Sequence, residues 1–151
     1  MLTIYHVKGM RSVRPVWLCE ELGLGYELIA VDDAVRDSAS WRAISPTARV
    51  PALRDGDVDV FESGAILQYL LNRYGAGRLE PPEGSREYAA HLSWLWFGEA
   101  TLSRPVGMNR IMRGGDLPPV AREKLAQCYD AVELALDAHE DDRLALTRRL
   151  K

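Results

Sequence analysis

Cysteine is the scarcest reactive residue in this chain: only Cys19 and Cys128 occur in 151 residues. They form no C-x-x-C pair, which argues against a dithiol redox centre or half a zinc site and leaves both as small buried apolar residues. The histidines are equally sparse, and His6, His91 and His139 show no metal-ligand spacing, so no metal is expected. Charge of one sign is also lacking. Nineteen basic and 22 acidic residues give a formal net charge of −3, without the cationic field that holds nucleic acid or an anionic membrane surface, and neither partner is expected. No apolar run approaches bilayer length, and the start, Met1-Leu2-Thr3-Ile4-Tyr5, lacks the basic segment and long apolar core of a secretion signal. A cytoplasmic location is the resulting expectation. Internal repeats and low-complexity tracts are absent as well.

What is present, 47% hydrophobic and 27% charged residues, is the composition of an ordinary folded chain sized for one domain or two small ones. Leu2–Val7 and Tyr26–Val31 are short apolar runs bracketing Ser12–Leu22, where Val13, Val16, Cys19 and Leu22 recur at helical spacing. The spacing predicts strand, helix, strand, with Ser12 as the helix cap, Pro15 in the first turn and Gly23 at the end. A more irregular stretch carries Trp41 and Ile44 on a short helix. Val50-Pro51-Ala52-Leu53 and Val58-Asp59-Val60-Phe61 then flank an Asp55-Gly56 hairpin turn. Ser63 opens a helix with Ile66, Leu67, Leu70, Leu71 and Tyr74 on one apolar face, followed by Gly75.

The predicted unit is β-α-β-α-β-β-α, with a mixed sheet whose first strands are parallel and whose last two are antiparallel, covered by helices on both faces. The Gly- and Pro-rich stretch from Gly75 to Gly84 marks a domain boundary, giving domains 1–77 and 85–151. Beyond it the periodicity is helical. Tyr88, Leu92, Leu95, Trp96, Leu102 and Val106 stripe a long helix that Pro105 is expected to kink, and Leu125, Cys128, Tyr129, Val132 and Leu136 stripe a second. After His139 the chain is charged, with no further long amphipathic helix.

Two places carry candidate chemistry. Val50-Pro51 opens a strand after a loop, where a cis X-Pro bond is common. Such a turn leaves the Val50 backbone able to pair with an extended peptide, although a plain strand-opening proline has the same sequence. Glu62-Ser63 lies at a helix start, where the positive end of the dipole and the Ser63 hydroxyl suit a carboxylate and Glu62 suits an ammonium. Simple capping is the alternative. Together the two places describe a ligand such as glutathione.

The stretches Arg14-Pro15-Val16-Trp17-Leu18-Cys19-Glu20-Glu21-Leu22-Gly23-Leu24, Ser45-Pro46-Thr47-Ala48-Arg49-Val50-Pro51-Ala52-Leu53 and Phe61-Glu62-Ser63-Gly64-Ala65-Ile66-Leu67 resemble successive motifs of the glutathione S-transferase family. Trp94–Leu102 is similar to the first helix of that family's C-terminal domain, and the likeness fades after His139. The resemblance implies an α/β thioredoxin-like domain with a mixed four-stranded sheet, followed by an all-α domain that is truncated here. A natural truncation and a changed reading frame both fit the short charged end.

The resemblance further implies that Val50 pairs with the cysteinyl backbone of glutathione, that Pro51 is cis, that Glu62 and Ser63 take the γ-glutamyl end, and that Arg49 meets the glycyl carboxylate. It places the thiol-activating group in the loop after the first strand, where Ser12 is the nearest matching hydroxyl and Arg11 an alternative source of positive charge. Tyr5 is assigned to the core or the cleft wall. Trp94, Trp96 and Phe97 are read as core or interface, or as the wall of an electrophile pocket. The implied activity is transfer of the glutathione thiolate to a small electrophile by a homodimer, with glutathione as co-substrate. A noncatalytic binding module and a glutathione-dependent disulfide reductase are the other readings.

Overall fold

The computed structural model describes residues 1–111 and 117–138. His139 and the charged end expected to be a truncation lie outside the described residues. Packing divides the chain into two compact units, Met1–Leu95 and Trp96–Lys151.

In the first unit the order is β1 (Leu2–His6), α1 (Val13–Leu22), β2 (Tyr26–Ala30), α2 (Asp33–Asp37), α3 (Ala39–Ile44), β3 (Ala52–Asp55), β4 (Val58–Phe61) and α4 (Ser63–Leu70), the last continuing as a π-helical turn through Leu71–Gly75. The sheet runs β2-β1-β3-β4. β1 pairs parallel with β2, while β1–β3 and β3–β4 are antiparallel, so the mixed four-stranded thioredoxin-like sheet is present.

Side-chain alternation along β1 supplies two cores. Leu2 and Ile4 pack on one side with Cys19 of α1, Leu53, and Ile66 and Leu70 of α4. Tyr5 points to the other side, with Ala52, Val31 and the α3 residues Trp41 and Ile44. Helices therefore cover both faces. Burial explains the thiol chemistry of Cys19 too: desolvation, then the nearby Glu20 charge, pushes its pKa up to about 11.

Several local details depart from the sequence reading. Ser12 precedes α1 but makes no side-chain cap bond, because its hydroxyl is committed elsewhere. Two short helices replace the single one expected around Trp41. Asp32 accepts from the Val35 N–H at 2.8 Å and Ser38 from the Trp41 N–H at 3.1 Å, each capping one of them. In the hairpin Asp55 pairs with Val58, so the turn is Gly56-Asp57, one residue later than expected. Gly56, at φ 64°, meets the positive φ such a two-residue turn requires.

After the turns of residues 76–85 comes α5 (Arg86–Trp96), then in the second unit a π-helical stretch Phe97–Leu102, α6 (Ser103–Ile111) and α7 (Pro119–Asp137). The interruption expected at Pro105 falls upstream of it. Pro105 lacks the N–H that would bond the carbonyl four residues earlier, and the Ser103 hydroxyl donates to the Glu99 carbonyl, so the change of helical pitch occurs in the preceding turns. Among the described residues no helix is long and apolar enough to cross a membrane.

Candidate functional site

Three chain segments meet at one end of the sheet because of the strand register. Tyr5 pairs with Ala52 and Ala52 with Phe61. The loop after β1, the turn before β3 and the helix start after β4 therefore leave the sheet together. The sequence-proposed residues Ser12, Arg49, Val50, Pro51, Glu62 and Ser63 all lie on these three segments.

At the helix start, Glu62 is exposed and holds φ 71°, ψ 121°, a region that non-glycine residues rarely occupy. That conformation turns the chain sharply from β4 into α4, whose first residue is Ser63. Ser63 is 2% exposed, and its Oγ accepts from Arg14 Nη1 at 3.4 Å. The positive end of α4 and a guanidinium thus converge on one hydroxyl, a combination that favours negative charge nearby. Arg14 had no assigned role in the sequence reading. It stands 49 residues from Ser63, and only the packing of α1 against α4 brings them together.

Before β3, buried Ser45 closes a tight turn. Its Oγ donates to the Arg49 carbonyl at 2.8 Å and accepts from the Arg49 N–H at 3.2 Å, while Ala48 adopts φ 53°. Arg49 is held exposed as a result, and the Val50–Pro51 peptide bond is cis. Val50 lies two residues before β3, outside the ladder, so its N–H and C=O take no part in sheet pairing. Ser45 is the second residue without a role in the sequence reading. Its signal was the Ser-Pro turn that starts the motif.

The loop after β1 exposes Lys8, Gly9, Met10 and Arg11, whereas Ser12 is fully buried. The Ser12 Oγ accepts from the Val7 N–H at 3.2 Å, donates to the Val7 carbonyl at 3.2 Å and lies 2.9 Å from His6 Nδ1. Tyr5 packs against Trp41 as a core residue, with ring centroids 5.2 Å apart and planes tilted by 53°. In α5, Trp94 and Trp96 are both exposed.

Comparison with known proteins shows the family to which the chain is similar. The family model described as glutathione S-transferase, N-terminal domain, matches residues 1–72. Glutathione S-transferase 3 of Schizosaccharomyces pombe is 36% identical over 104 residues, covering 68% of this chain and 43% of that protein. Glutathione S-transferase GstB of Escherichia coli is 32% identical over 152 aligned positions, covering 91% of this chain and 70% of that protein. The match spans less than half the length of several curated relatives, 43%, 44% and 41% for three of them. Among solved structures, the glutathione transferase URE2P6 of Phanerochaete chrysosporium, in complex with oxidized glutathione, superposes with a TM-score of 0.78 at 29% identity, covering 90% of this chain and 68% of that one.

Proposed function

The chain belongs to the glutathione S-transferase family, and from that premise we propose that it binds glutathione and transfers its thiolate to a small electrophile. The observation that carries this reading is the Arg14–Ser63 corner at the positive end of α4, with the Val50 backbone, which lies outside the sheet ladder, on the next segment of the same sheet end. A γ-glutamyl carboxylate fits the corner, and exposed Glu62 fits the ammonium beside it. The Val50 N–H and C=O fit the cysteinyl backbone as an added strand would, and Arg49 fits the glycyl carboxylate. The chain is further read as a two-fold homodimer without metal.

Activation of the thiol belongs to the loop between β1 and α1. A free thiol with a pKa of about 8.5 is mostly protonated at neutral pH, so donors or positive charge must favour the thiolate. The Ser12 hydroxyl, assigned this task from the sequence, is occupied by Val7 and His6. Direct donation to sulfur requires it to turn away from both. That observation favours a second reading, a noncatalytic glutathione-binding module.

Calorimetry and turnover separate the readings. Ser63→Ala is expected to weaken glutathione binding by about 1.5–3 kcal/mol through loss of a hydrogen bond to a charged group, and unchanged affinity rejects the site. Conjugation of glutathione to an activated aryl chloride above the uncatalysed rate supports transfer. Binding without turnover supports the module.

A further inference from the structure

The Ser12 hydroxyl has three polar atoms within hydrogen-bond distance. A hydroxyl has one proton and two lone pairs. Here the Val7 N–H takes one lone pair at 3.2 Å, and the proton has two acceptors in reach, the Val7 carbonyl at 3.2 Å and His6 Nδ1 at 2.9 Å. With the proton on the Val7 carbonyl the imidazole donates through Nδ1–H, and with Nδ1 unprotonated it accepts the Ser12 proton; in both arrangements the two side chains are joined. His6 is the last residue of β1 and is half-buried. The Val7 carbonyl also accepts from the Met10 N–H at 3.1 Å, and the Met10 carbonyl accepts from the Val13 N–H at 3.2 Å. A chain of hydrogen bonds therefore runs from the imidazole through Ser12 to both ends of the loop Lys8–Arg11.

We propose that His6 is a positioning residue for the thiol site: its imidazole holds Ser12 in place, and Ser12 fixes the loop that faces the reacting sulfur. The proposal rests on the transfer reading above and deepens it. It accounts for a buried serine where a thiol-activating hydroxyl was expected: with its proton on the Val7 carbonyl or on His6 Nδ1, Ser12 has none left for sulfur and serves to set the loop's backbone. The carboxylate corner at Arg14 and Ser63 is built from other residues, so the latch should govern the rate and leave affinity for glutathione intact.

The test uses the full chain as wild type, His6→Ala, His6→Asn, Ser12→Ala and the His6→Ala/Ser12→Ala pair, with kcat and KM for glutathione measured against an activated aryl chloride. Amide hydrogen exchange at Met10 and Val13 is followed in parallel. His6→Ala and Ser12→Ala are each expected to lower kcat roughly three- to tenfold, the scale of one hydrogen bond, with KM within about twofold. The double variant should be no worse than the poorer single one, since both remove one interaction. His6→Asn, whose side-chain amide can donate to Ser12 or accept from it, should regain most of the rate and of the slow exchange. Additive losses, an unchanged kcat in His6→Ala, or failure of the asparagine to restore anything overturns the proposal. If the wild type shows no turnover, the transfer reading fails and exchange decides alone. Faster exchange in His6→Ala, reversed in His6→Asn, sustains the latch, and unchanged exchange overturns it.

Discussion

At Arg14 one side chain joins the head of α1 to the head of α4, 49 positions away, through a 3.4 Å contact with Ser63. Its charge should matter more to an anionic ligand than to the fold. Arg14→Gln is expected to weaken glutathione binding about ten- to a hundredfold, the range for losing a charged hydrogen bond, and to flatten the salt dependence of affinity. Calorimetry at two ionic strengths checks both, with the denaturation midpoint as a control for folding. The sequence exposed Val50, Pro51, Glu62 and Ser63 because each is marked by local chemistry: a proline after a loop, an acid and a hydroxyl at a helix start. Arg14 and Ser45 carry no such mark. Their roles follow from partners that only the folded chain supplies, and the same holds for Ser12, whose hydroxyl turns inward to Val7 and His6.

Between elements, Asp55 ties the far end of β3 to the turn that follows α4. It is 9% exposed, accepts from Tyr74 Oη at 2.6 Å and Tyr69 Oη at 2.9 Å, and lies 3.0 Å from Arg73 Nε. The Tyr74 hydrogen bond foremost, with those of Tyr69 and the Arg73 charge, holds its carboxyl below the usual range against the cost of burial. A carboxyl depressed on folding contributes stability above its unfolded pKa of about 3.9 and loses it as pH falls through the lower folded value. The Tm difference between wild type and Asp55→Asn should therefore be full near neutrality and vanish in acid; a constant difference across pH would remove the electrostatic account. Asp55→Ala, which leaves two phenols without their acceptor, is expected to cost about 1–3 kcal/mol in urea unfolding. Legibility differed among elements for the same reason as among residues. β1, α1 and α4 repeat their apolar pattern long enough to be read. The five-residue helix α2 has no buried residue to set a period. The hairpin slipped by one position because Asp55-Gly56 and Gly56-Asp57 both look like turns, and the Asp55–Val58 pairing decides between them.

For the whole molecule, α5 buries none of its residues and exposes Trp94 by 42% and Trp96 by 49%. Large aromatics on an unburied helix suit an interface, and the family resemblance points to a two-fold partner. Light scattering across a dilution series should give a discrete species of twice 16.9 kDa, and a well-folded monomer at every concentration would refute the dimer. The sheet order β2-β1-β3-β4 has a further consequence, in the time of synthesis. Of these four strands the ribosome makes a central one, β1, before the other three. β1 finds its parallel neighbour only after Ala30, and its other edge stays open until Asp55 has emerged. At about 5–20 residues per second, half of β1 waits for several seconds between its own synthesis and its closure. Over that interval Leu2, Ile4 and Tyr5 belong to a half-built sheet that the nascent chain must carry.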